Sequence, residues 1–119
     1  MSAPSAARYA KTLPATWLAA RTAVDPAYIE AMRRAGELIA VREPGSSEWR
    51  YPAWQFDHGR PRRSVARIVA TARSHGIDDA RLFAVLTAPL GLRDQGRSLV
   101  DLLLEGRDDE VVAAVRGAA

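Results

Sequence analysis

Helix-breaking residues recur so often along this chain that no element can be long. Pro14, Pro26, Gly36, the Pro44-Gly45 pair, Pro52, Pro61, Gly76, Pro89, Gly106 and Gly117 divide the 119 residues into short segments. Proline lacks an N–H and fixes φ, so it starts or stops a helix; glycine closes one by entering the left-handed region. Helices shorter than about 12–15 residues are marginal alone in water, so these segments must be held by packing against one another.

Apolar periodicity assigns the segments. Residues 13–21 read as a first helix, with Pro14 in its first turn and Trp17 and Leu18 as apolar anchors. Asp25 followed by Pro26 opens a second: an N-cap carboxylate, then a residue whose φ is already helical. That helix carries Tyr28, Ile29 and Met32 and closes at Gly36. Residues 38–41 and 49–56 are β-prone and flank Glu43-Pro44-Gly45-Ser46-Ser47-Glu48, a run of turn formers, which predicts a hairpin with a polar tip. Pro52 in the return strand demands an edge position or a bulge.

After a break at residues 58–61, four helices follow. The first carries Val65, Ile68, Val69 and Ala72 and runs to Gly76. The next opens at Asp78 or Asp79 and stops at Pro89. Ser98 caps a short apolar helix over residues 99–105, and Asp108 caps the last, with Val111, Val112 and Val115 on one face. The expected fold class is mainly α: a helix-turn-helix-like N-terminal part with a β-hairpin wing, followed by a small helical bundle. The expected division is a loose leader over residues 1–12, the helix-turn-helix-like region over 13–57, and a helical domain over 58–119.

Composition excludes several classes. No stretch approaches eighteen uncharged apolar residues, so no membrane span is expected. The absence of cysteine removes disulfides, thiolate metal sites and cysteine nucleophiles together, and the expected location is the cytoplasm. His58 and His75 stand seventeen residues apart without a ligand partner at helical spacing, so neither a metal nor a cofactor is expected. The acid pairs at Asp78-Asp79 and Asp108-Asp109-Glu110 sit at helix starts, where carboxylates favour the dipole. With no Gly-rich phosphate loop and no nucleophile–base arrangement, the chain does not read as an enzyme.

Charge is unevenly divided. Residues 1–75 carry twelve basic and six acidic side chains, a net +6, and residues 76–119 carry five and eight, a net −3. A basic front and an acidic rear point to different partners, one of them polyanionic. Sixteen of the seventeen cations are arginine, whose planar fork suits phosphate, although an Ala- and Arg-rich composition also follows from a GC-rich genome.

Residues 16–34 have helix-turn-helix spacing. Ala19 is small enough for a second helix to cross closely, Ala23 and Val24 sit at the turn, and Ile29 and Met32 take buried positions. Ala27, Glu30, Ala31 and Arg34 then face outward. Among these, Arg34 alone can contact a guanine edge in bidentate fashion. Arg33, Arg42, Arg50, Arg62 and Arg63 suit phosphates, which position a protein without reading sequence. Together with Arg34 they are the expected DNA contacts, and the hairpin is the expected wing.

Two runs carry a family resemblance. Tyr51-Pro52-Ala53-Trp54-Gln55-Phe56-Asp57 follows the hairpin. Near the end, Leu90-Gly91-Leu92, a spacer, and Ser98-Leu99-Val100-Asp101-Leu102-Leu103-Leu104-Glu105-Gly106-Arg107 precede Glu110-Val111-Val112. This resembles the Xre/MbcA/ParS-type antitoxins of type II toxin–antitoxin pairs. The resemblance implies a C-terminal toxin-binding bundle, neutralisation of a RES-domain, NAD-consuming toxin, self-association, assembly with that toxin, and binding to the operon's own promoter. It places the toxin contact on the last helix and tail, at Glu110, Val112, Arg116, Gly117, Ala118 and Ala119. The alternative is a stand-alone DNA-binding regulator of the same fold without a toxin.

Overall fold

The computed structural model describes residues 12–91 and 96–118. Strand β1 (Thr12–Pro14) leads into helices α1 (Ala15–Thr22) and α2 (Pro26–Arg34). A loop then reaches β2 (Arg50–Pro52), a 3-10 turn (Ala53–Gln55), and the short strands β3 (Phe56–Asp57) and β4 (Arg60–Pro61). Helices α3 (Arg63–Ser74), α4 (Asp79–Thr87), α5 (Leu99–Leu104) and α6 (Asp108–Gly117) complete the chain. The fold is mainly helical with small β pairings. Among the described residues no helix is long and apolar enough to cross a membrane.

Local chemistry sets most helix ends. Asp25 accepts the Ala27 N–H at 2.7 Å, and Asp78 accepts that of Arg81 at 2.8 Å. At α5 the N–H of Ser98 is taken by the Asp101 carboxylate, three residues on, at 2.8 Å. Helix α2 closes with Gly36 at φ +79° while the Glu37 N–H reaches back to the Met32 carbonyl at 2.9 Å, a Schellman ending. Gly36 also admits a close neighbour, because a Cβ there would lie 2.9 Å from the Arg73 guanidinium of α3. Between α1 and α2, Ala23 takes the left-handed conformation at φ 57° without being glycine.

Four expectations need correction. The first helix begins at Ala15, because Leu13 and Pro14 belong to β1, paired with Tyr51 and Arg50. Residues 1–11 of the expected leader lie outside the described residues, but Thr12 is a buried strand residue. The hairpin is also rearranged: residues 38–41 meet the return strand through a single bridge, Val41 with Arg50, and β2 pairs antiparallel with β1 instead. Pro52 stands at the end of that strand, where its missing N–H breaks no ladder. Finally, Asp108 is the first residue of α6 rather than its cap; Arg107 holds the cap position and supplies no side-chain bond.

Two apolar cores result. One gathers Leu18, Ile29, Met32, Leu38, Ala40 and Tyr51; the other gathers Ile39 with the inward faces of α3 to α6. Residues 38–41 pass between them in extended form. Leu38 and Ala40 enter the first core and Ile39 the second, as the two-residue alternation of extended chain requires. At this junction Trp54 and Phe56 are partly buried, Trp54 against the second core and Phe56 against the first.

The extended segment has no strand beside Ile39, yet its polar groups are buried and need partners. Gln55, with no exposed surface, meets the need. Its amide oxygen accepts the Ile39 N–H at 2.7 Å, and its amide nitrogen donates to the carbonyls of Ile39 at 2.8 Å and Pro52 at 3.1 Å.

Gln55→Leu keeps the volume and strands the Ile39 N–H and C=O, at about 1–3 kcal/mol each. The expected loss is thus about 2–6 kcal/mol, read as a fall in the urea midpoint without a fall in slope. Ala23→Gly acts the other way. It relieves a left-handed alanine at an exposed turn and should raise stability by about 0.5–1 kcal/mol, visible as a Tm increase of a few degrees.

Candidate nucleic-acid interface

The turn at Ala23 and the crossing of α1 over α2 decide which face of α2 is left outside. Ile29 and Met32 point into the first core. At 100° per residue, Ala27, Glu30, Ala31 and Arg34 share the opposite face, and all four are exposed. The expected outward set therefore lies on one surface. Arg34 is 72% exposed, and its Nη2 bonds the Glu30 carboxylate at 2.9 Å. A base contact by Arg34 has to compete with that ion pair.

Arg33 and the hairpin occupy one flank of α2. The guanidinium of Arg33 lies 4.3 Å from the centre of the Trp49 ring, and that of Arg42 lies 4.5 Å from it. The Val41–Arg50 bridge sets Arg42 across from Trp49, so both side chains emerge on the same face of the pair. Arg33 is largely buried and also meets Glu30 at 3.3 Å. Its Nε has no acceptor in the described structure. Each guanidinium–indole contact contributes about 0.5–2 kcal/mol, which fixes the hairpin beside the C-terminal half of α2. Arg42 remains exposed at the outer end.

Arg50 does not fit the expected phosphate role. Its Nε donates to Thr12 Oγ1 and its Nη2 to the Thr12 carbonyl, both at 2.8 Å, while Glu48 at 3.5 Å and Glu43 at 4.0 Å face it. The guanidinium is consumed in holding β1 to the return strand. Arg62, half-buried, is likewise engaged, its Nε donating to the Trp54 carbonyl at 2.9 Å. Arg63, at the first position of α3, is exposed. With Arg60 of β4, these side chains line a groove shared with Tyr28 and Met32, on the flank of α2 away from Trp49.

The predicted toxin contacts scatter. Val112 is 2% exposed and belongs to the second core, so it is not presented to a partner. Glu110 is exposed but held by Arg107 at 2.6 Å. Arg116 and Gly117 are exposed at the end of α6. Ala118, expected in a free tail, packs against the core, and its carbonyl accepts a bond from Arg81 Nη2 at 2.5 Å. Ala119 lies outside the described residues. His58 is fully outward beside Asp57, and His75 bonds the Thr71 carbonyl at 3.0 Å. Among the described residues no group of three potential metal ligands gathers.

No family model matches this sequence, and no curated protein matches it. Among solved structures, the chain resembles the NMR structure of Rv2175c, with a TM-score of 0.78 and 24% identity over 91% of this chain and 80% of that one. The likeness establishes a shared fold.

Sequence reasoning missed Trp49 and Arg60. A signal for Trp49 was present: a hairpin whose tip spans residues 43–48 sets position 42 opposite position 49, and an arginine facing a tryptophan is a stacking pair. Arg60 carried no such signal, because its neighbours across the groove come from α2.

Tyr51 lies beneath this surface at 1% exposure. Burial pushes its phenol above the ordinary 10.0, and the nearby Arg33 charge opposes the rise in part. Above pH 10 the unfolded chain ionises this group while the folded chain keeps the proton. The folded state then binds more protons, and stability falls as pH increases. The chain has a single lysine, and its arginines stay charged throughout this range. Thermal melts from pH 8 to 11 should show Tm dropping above pH 10, and Tyr51→Phe should flatten that limb.

Proposed function

We propose that this protein is a DNA-binding regulator of winged helix-turn-helix type, which lays α2 in a major groove and braces it with the hairpin over residues 41–50. One observation carries the reading. The outward face of α2 is bordered by guanidinium groups on both flanks: Arg42 with Arg33 on Trp49, and Arg60, Arg62 and Arg63 across the helix. A helix seated in a major groove has a phosphate strand on either side, so cations on both flanks match the ligand's geometry. The small side chains of Ala27 and Ala31 allow the backbone to approach closely.

Such a surface reads sequence weakly. Arg34 is the base-directed cation, and Glu30 competes for it. Affinity therefore derives chiefly from phosphates and counterion release. Toxin neutralisation has less support: with Val112 in the core and Ala118 tied to Arg81, Glu110, Arg116 and Gly117 are left as its surface.

Fluorescence anisotropy of a labelled duplex from the gene's upstream region, against a scrambled duplex, tests this at several salt concentrations. The expected result is binding at low salt, with log affinity falling linearly in log salt by about 0.9 for each phosphate contacted. Arg42→Gln and Arg63→Gln should each reduce that slope by about 0.9, and the two duplexes should differ by less than about a thousandfold. No binding at low salt, or unchanged slopes in both variants, would refute the proposal.

A further inference from the structure

The flank of α2 away from Trp49 encloses a groove of about 560 Å³, within the size range of small-molecule sites. Its apolar wall is built by Val24 from the interhelical turn, Tyr28, Ile29 and Met32 from α2, and Phe56 and Pro61 from the short hairpin. Pocket lining of this kind is mostly hydrophobic with a few convergent polar groups, and here those groups are cationic. Arg60, Arg62 and Arg63 stand along the side formed by β4 and the start of α3, with Glu37 as the single acid of the lining. None of the three arginines forms an ion pair among the described residues, although most other arginines in the fold do. An apolar wall facing an uncompensated row of forked cations is complementary to one class of ligand.

We infer that this groove binds a small organic anion with an apolar, aromatic-sized body and one carboxylate. The body would lie against Tyr28, Met32 and Phe56, and the carboxylate would accept from the guanidinium fork of Arg60 or Arg63. Because α2 forms one wall, an occupant bears directly on the helix that carries Arg34, which makes the groove a site for an effector rather than for a substrate.

The probe is 2-naphthoate, with 2-naphthalenemethanol as its neutral counterpart, titrated into the isotopically labelled full chain and followed by amide chemical shifts. No DNA is present, so the result stands apart from the DNA-binding proposal. Saturable shifts are expected at Val24, Tyr28, Gly59 and Ala66, with a dissociation constant of about 1 mM or tighter, the ordinary range for a fragment of this size. The neutral alcohol should bind at least about tenfold more weakly, a difference of about 1.4 kcal/mol. Arg60→Gln combined with Arg63→Gln, both at exposed positions and expected to melt like the parent, should weaken naphthoate by the same factor. Three results would overturn the inference: no saturation, equal binding of the alcohol, or shifts centred elsewhere. Equal shifts with inorganic phosphate alone would overturn it too, since they would mark the arginines as a general anion rim.

Discussion

The amide of Gln55 and the peptide of Ile39 form the contact on which the two halves of this protein depend. Residues 38–41 run between two apolar cores and feed side chains into both. A chain in that position has buried N–H and C=O groups and, at Ile39, no strand alongside. One primary amide can mimic a neighbouring strand because it presents a donor and an acceptor side by side, matching a peptide's own pair. The Gln55 bonds of 2.7 and 2.8 Å do this, and a third bond to Pro52 orients the amide. Neither core could lie so close to the other if that peptide required water.

The same contact sets the pose of α2. The helix closes at Gly36 and the chain enters the shared segment two residues later, so the axis of α2 is referred to both cores at once. Only Ile29 and Met32 are buried along it. The rest of its surface is thus a rigidly held, largely unburied face on a nine-residue helix.

Arginine content alone says little about where a charged surface forms. Arg50 is spent on Thr12, Arg62 in part on the Trp54 carbonyl, and Arg33 on Glu30 and the Trp49 ring. Arg42, Arg60 and Arg63 face outward around α2, and Arg34 does so while sharing Glu30. The basic front half of the chain is in this way divided between side chains that hold the N-terminal part together and side chains that give it a charged surface. An arginine that bridges buried backbone cannot serve both ends without loosening the fold.

The helices were legible because their signals are local. Asp25, Asp78 and Ser98 with Asp101 each act within three residues, and the apolar stripes of α3, α4 and α6 repeat within a turn or two. The exception at Pro14 shows the limit. A proline early in an apolar run suits the first turn of a helix and an edge strand equally well, and pairing with Arg50 decided for the strand. By itself, the sequence determined a mainly helical chain with these breaks, these caps and these buried faces. Tertiary structure decided the partners: Thr12 for Arg50 across 38 residues, Ile39 for Gln55 across 16, and the flanks of α2 for the remaining cations. The reason is that caps and periodicity are properties of neighbouring residues. By contrast, the acceptor a guanidinium or an amide finds depends on which distant segment the packed cores bring within 3 Å.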